Sequence, residues 1–230
     1  MSLKEDLETQ VKKIFSDVWT TQKTAGVPNP EDLRLDNHSK NLDQATVLYA
    51  DLNGSTDMVN NYKWSFGAEI YKAYLQCEAR VIADAGGVVT AYDGDRIMAI
   101  FTGDSKNTSA ARAALKINFA VHKIIRPAIK EAYSKTDFLL NHVIGIDTSE
   151  LHSARIGVRG YNDLVWVGRA ANYAAKLTSL QGKSIWITKD VYDKLSADVK
   201  LSNGLDMWKN HTWTTMNNIA IFSTAYMCSI

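Results

Sequence analysis

Apolar positions change their period along this chain, and each change marks an element. Leu3, Leu7, Val11, Ile14 and Val18 recur at helical spacing, which predicts an amphipathic helix over Leu3 to Thr21, a docking arm or dimer contact rather than a domain. Thr24 to Pro30, the stretch densest in Gly and Pro, reads as a linker, with a soft boundary near Asn37 to Asn41. Residues 1–40 are therefore expected to form an appendage and 41–230 the main domain. Beyond it, short apolar runs alternate with long helical patterns. Strands are predicted at Ala45 to Leu52, Val88 to Tyr92, Ile97 to Phe101, Phe138 to Ile146, Leu151 to Val158, Leu164 to Val167 and Ser184 to Ile187, with a closing strand at Ile219 to Ser229. Helices are predicted at Ser55 to Ala85 with a break near Lys63, at Ser105 to Tyr133 with a break or kink at Pro127, at Arg169 to Leu180 and at Val191 to Leu195. Asp93-Gly94 marks a tight hairpin. The order gives an α+β fold of ferredoxin-like βαββαβ plan: one mostly antiparallel sheet with helices on one face.

Composition narrows the classes without selecting one. A chain of 230 residues is long enough for one self-standing core. With 26 basic and 25 acidic residues its formal charge is +1, so broad electrostatic binding to nucleic acid or an anionic membrane is not expected. Two cysteines, Cys77 and Cys228, do not make a disulfide scaffold. Met1 to Gln10 lacks the apolar run of a signal peptide, and no stretch matches a membrane span, so the expectation is a soluble, cytoplasmic protein.

Three groups of residues could carry chemistry. Asp51 ends the first core strand and Asp95 follows the hairpin turn, so the fold can bring two carboxylates to one spot. Such a pair repels unless protonated or bridged by cations, and hard oxygen ligands suit Mg²⁺ or Mn²⁺. The ordinary alternatives are a helix cap for Asp51 and a turn residue for Asp95. Asn53-Gly54-Ser55-Thr56 stands between strand and helix, where free backbone N–H groups could cradle phosphates or the hydroxyls could simply cap. Asn172 and Lys176, four apart, share a helical face that could reach a ribose and a phosphate, or could merely be solvated.

Together, these groups resemble the catalytic domain of class III nucleotidyl cyclases over roughly Ala45 to Leu195. Ala50 to Thr56 is similar to that family's first metal motif and Gly94 to Ala99 to its second. Gly145 to Ser149 and Gly168 to Leu177 are similar to its later strand end and helix. The resemblance implies two divalent metal ions, Mn²⁺ or Mg²⁺, held by Asp51, Asp95 and the Leu52 carbonyl. It gives ribose orientation to Asn172 and the transition-state cation to Lys176. It also implies a homodimer with nucleoside triphosphate sites at the interface, the Asp pair coming from one protomer and Asn172 with Lys176 from the other.

The departures from the family's pattern bear on the substrate. Lys176 replaces an Arg, which keeps the charge and loses the planar fork. The family's late phosphate-binding Lys has no match near Thr212 to Asn218; Arg169, Arg96 or Lys209 could substitute. The two positions that read a purine edge are Ala91 and Val165, neither of which can hydrogen-bond a base. Tyr49, two before Asp51, could narrow the base pocket and contact the base, or be a core aromatic. A smaller pocket without purine readers resembles the pyrimidine cyclases of bacterial Pycsar anti-phage systems, which signal through the cyclic nucleotide to a separate effector. The expected reaction is UTP to cyclic UMP, with CTP to cyclic CMP next, then a purine cyclase, then an inactive nucleotide-binding module.

Overall fold

The computed structural model describes residues 2–230. Helix α1 (Leu3–Ser16) starts on a capping box in which Ser2 and Glu5 satisfy each other's backbone N–H groups. It ends well before Thr21, where Asn37 Nδ2 donates to the Ile14 and Asp17 carbonyls. The chain then extends into β1 (Thr20–Lys23), parallel to β2 (His38–Asn41). Neither strand was expected. Thr-Thr-Gln-Lys and His-Ser-Lys-Asn carry no apolar alternation, so the periodicity argument was blind to them.

The predicted core follows. β3 (Ala45–Asn53) leads into α2 (Ser55–Asn61) and α3 (Trp64–Asp84), broken near Lys63 as the pattern predicts. β4 (Val88–Asp93) and β5 (Arg96–Phe101) form the hairpin. α4 (Lys106–Ala120) passes through a π-helical turn, Val121–Ile125, into α5 (Arg126–Ala132), so the irregularity at Pro127 begins before the proline, which needs no N–H at the start of α5. β6 (Asn141–Ser149), β7 (His152–Val158), β8 (Tyr161–Val167) and α6 (Arg169–Leu177) come next. β9 (Ile185–Thr188), α7 (Lys189–Tyr192), α8 (Ala197–Lys200), β10 (Leu201–Ser202), β11 (Leu205–Asp206), β12 (Lys209–Trp213) and β13 (Ile219–Thr224) close the chain.

The α+β class and its βαββαβ core hold, with two corrections. There is not one sheet. A seven-stranded sheet runs β12-β13-β9-β6-β3-β5-β4, a separate four-stranded sheet runs β1-β2-β7-β8, and β10 with β11 makes a small ladder. Within the large sheet only β6 and β9 are parallel. Nor do all helices share a face. Leu48, Ala50, Ile97, Ala99, Phe101, Ile144 and Ile146 alternate toward residues of α3 and α4. Val47, Met98 and Ile100 pack on Ala170, Ala171 and Ala174 of α6. That second layer depends on Gly145, where a Cβ would stand 2.1 Å from the Ala174 carbonyl oxygen. α6 thus sits on the backbone of β6, close beside the end of β3 that carries Asp51.

Candidate active site

Asp51 lies opposite Arg96 in the β3–β5 ladder, and Arg96 donates to Asp51 Oδ2 at 2.8 Å. This pairing stabilises the guanidinium charge and, against it, burial removes part of its hydration. Tyr49, two residues back on the same face of β3, is half-buried beside this pair. Its hydroxyl is pushed above its ordinary pKa by burial, pulled back by Arg96 and raised again by Asp93. Leu52 turns its side chain to the other face, among Met58, Phe66 and Ile70.

Asp95 is the second residue of the two-residue β4–β5 loop, after Gly94 at φ +61. Its Oδ2 is buried and has no hydrogen-bond partner in the chain. Tyr71, Tyr74 and Glu78 all feel the Asp95 charge, and the last two feel that of Asp51. Burial is the larger cause of the raised Tyr71 hydroxyl pKa, and the Ser55 hydroxyl partly offsets it. An unpartnered Asp95 oxygen and the Asp51 carboxylate paired with Arg96 are hard oxygen donors, the kind of group a hard divalent ion takes. No three His, Cys, Asp or Glu side chains stand in a metal-ligating group among the described residues.

Gly54, at φ +82, turns the chain from β3 into α2, with no side-chain cap on the helix start. Asn53 is exposed, and Ser55 and Thr56 form the first turn of α2. The ordinary capping alternative for this loop is therefore not what it does.

Asn172 and Lys176 are exposed one turn apart on α6, as their spacing predicts. Lys176 Nζ turns to Met216 Sδ at 3.7 Å, on the side of α6 that faces Trp186 and Trp213. Asp51 and Asp95 stand by β3 and β5. No hydrogen bond or ion pair joins the two groups among the described residues. Arg169 is committed elsewhere. It donates to the buried Asp147 at 3.1 Å and to the Thr148 carbonyl at 2.7 Å, and also pairs with Asp190. It clamps the start of α6, so it is not a free phosphate cation. Ala91 lies exposed on edge strand β4 beside a ladder irregularity, and Val165 half-buried on edge strand β8. The adjacent Trp166 packs in the same cluster as Tyr49.

The sequence marks Arg96 as a candidate cation but not as the partner of Asp51; the ladder register supplies that. Glu78 sits in an apolar helical pattern and belongs to no motif, so the sequence does not mark it.

The fold is similar to that of the adenylyl cyclase CyaB from P. aeruginosa, with TM-score 0.67 and 17% identity, covering 80% of this chain and 94% of that one. The protein thus has the class III nucleotidyl cyclase fold. Its relatives narrow the class. It is 62% identical over 217 residues to a uridylate cyclase of Burkholderia cepacia, covering 94% of each chain. It is 54% identical over 223 residues to one of Xanthomonas perforans, covering 96% of each. No family model matches. The chain belongs to the uridylate cyclases: it is a pyrimidine nucleotide cyclase. No helix among the described residues is long and apolar enough to cross a membrane.

Proposed function

We propose that the protein converts UTP to 3′,5′-cyclic UMP and pyrophosphate. The observation that carries the base is the 62% identity to a uridylate cyclase. Ala91 and Val165 support it, because neither offers a polar atom to a purine edge. Tyr49, two residues before Asp51, narrows the base pocket and contacts the base in this reading.

The ribose 3′-oxygen attacks the α-phosphorus in line, the bond to pyrophosphate breaks, and the hydroxyl proton passes to water. Two divalent ions, Mg²⁺ or Mn²⁺, held by Asp51, Asp95 and the Leu52 carbonyl, supply charge neutralisation when bound. Arg96, once released from Asp51, is free to meet the triphosphate beside the Asn53–Thr56 loop. Asn172 orients the ribose, and Lys176 meets the charge that develops on the α-phosphate.

These roles need two chains. Asp51 and Asp95 of one protomer face Asn172 and Lys176 of the other in a homodimer with two sites. Residues 41–230 form the catalytic domain and residues 1–40 an appendage; the boundary falls within β2 (His38–Asn41), which pairs with β7 and so joins the two. We place the enzyme in the cytoplasm, where its product signals to a separate effector in bacterial anti-phage defence, with no nucleic acid or membrane partner. Incubation of the purified protein with Mn²⁺ and UTP, CTP, ATP or GTP separately, with products identified by mass, tests the reaction. Cyclic UMP as the main product is expected. Cyclic CMP as the main product would move the assignment to cytidylate, and cyclic AMP or cyclic GMP would overturn the reading of Ala91 and Val165.

A further inference from the structure

A buried ion pair stands at the start of α6, the helix that carries Asn172 and Lys176. Asp147 of β6 is 0% exposed. Arg169 Nε donates to its Oδ2 at 3.1 Å, and the Thr188 hydroxyl, at the end of β9, donates to its Oδ1 at 2.5 Å. The same guanidinium donates through Nη2 to the Thr148 carbonyl at 2.7 Å and pairs with Asp190 of α7. One side chain thus ties α6 to β6 and to α7 at once. The next residue adds a further tie, the Ala170 backbone N–H donating to the Ser149 hydroxyl at 2.9 Å.

Such a network is a poor device for stability alone. A buried ion pair replaced by packed apolar residues of similar volume often leaves stability unchanged or raised. What a planar fork adds is direction, because it binds several acceptors in one fixed plane. α6 already has its apolar anchorage. Ala170, Ala171 and Ala174 pack on Val47, Met98 and Ile100, and the close approach at Gly145 sets how near the helix lies to the sheet. The fork, bound at the first residue of α6 to acceptors in two other elements, sets the rotation of the helix and its place along its own axis. Asn172 follows Arg169 by three residues and so adjoins it on the helix surface, and Lys176 stands one turn beyond.

We propose that Asp147 and Arg169 are positioning residues for the cyclisation reaction. With Thr188 they fix the rotation of α6, and through it they aim Asn172 at the ribose and Lys176 at the α-phosphate. This rests on the roles given to Asn172 and Lys176 in the proposed function. Neither member of the pair touches the nucleotide in this role: Asp147 is closed to solvent, and Arg169 turns its Nε and Nη2 to protein acceptors.

The test compares cyclic UMP formation with Mn²⁺, dimer state and urea unfolding across a set of variants. The set is Arg169→Lys, the double variant Asp147→Asn with Arg169→Gln, Lys176→Ala, and the first two combined with Lys176→Ala. Arg169→Lys keeps the charge and loses the fork, whereas the double variant removes both charges and leaves none buried alone. Both are expected to remain folded dimers with kcat lowered about tenfold to a hundredfold and KM within about twofold, the pattern of misplaced catalytic groups. In the Lys176→Ala background the same changes are expected to cost severalfold less, because one of the groups they aim is gone. Wild-type kcat in both folded variants would overturn the proposal. So would an undiminished loss in the Lys176→Ala background, or failure of both variants to fold, either of which would make the pair a general structural support. Wild-type kcat in Lys176→Ala itself would remove the role of Lys176 and this proposal with it.

Discussion

Asp51 and Asp95 differ in what holds them, and so in what their loss should do. Asp51 shares a partly buried pair with Arg96, whereas Asp95 turns an unpartnered oxygen into the protein. Neither anchors the core. Asp51→Ala and Asp95→Ala are therefore expected to leave the melting temperature within a few degrees of wild type. Each should cost turnover about 10³-fold or more, the scale of several kcal/mol of lost charge stabilisation. Product formation beside a melting curve checks both. If Lys176 has the proposed transition-state role, Lys176→Ala lowers kcat about 10²–10³-fold and changes KM little. A raised KM with unchanged kcat would make Lys176 a ground-state contact. His142 makes the fold sensitive to acid. It is 4% exposed with neither ring nitrogen partnered, and burial, with help from His122 and Arg126, lowers its pKa to about 3. The unfolded chain then takes a proton below about pH 6.5 that the fold refuses, so stability falls as pH drops from about 6.5 toward 3. Glu78, with its pKa raised, works in the opposite direction. His142→Leu is expected to flatten the loss, measured as urea midpoints at pH 7 and pH 4.5.

Among the elements, α6 carries the tightest constraint. Its Ala170, Ala171 and Ala174 rest on β3, β5 and β6, and its backbone closes on Gly145. Gly145→Ala must push α6 away from β6, and is expected to cost about 1–3 kcal/mol or more in denaturant unfolding. Because Asn172 and Lys176 ride on that helix, activity should fall with it. Gly145 could be noted in the sequence only as part of a pattern; the reason for it appears when α6 packs. The same limit separates what was legible from what was not. β3, the hairpin and the long helices announce themselves through strong apolar periods, because each buries a continuous face. β1 and β2 do not, since four-residue polar strands are held by backbone ladders that any sequence can make. The candidate Asp pair, Asn172 and Lys176 can be named from the sequence because their positions in the motifs need no coordinates; their roles remain part of the proposed function. Arg96 as partner of Asp51, Arg169 as the clamp of Asp147 and Glu78 as a buried acid all depend on register and burial, which spacing does not encode.

At the scale of the whole molecule, the candidate site is divided. Lys176 turns toward the β9–β13 side of α6, while Asp51 and Asp95 stand by β3 and β5. In the proposed function Asp51 and Asp95 of one chain work with Asn172 and Lys176 of another, so the account requires two copies. A homodimer of identical chains then holds two composite sites, each damaged by a substitution in either half. The most direct measurement is therefore complementation. Asp95→Ala and Lys176→Ala proteins are assayed with UTP and Mn²⁺, each alone and then mixed in equal amounts after subunit exchange. Each alone is expected to make little or no cyclic UMP. The mixed dimer pairs the intact Asp95 of one chain with the intact Lys176 of the other, so half of the sites in each heterodimer should regain activity. A mixture as inactive as its parents, with exchange demonstrated, would contradict the account: the catalytic residues would then act within one chain.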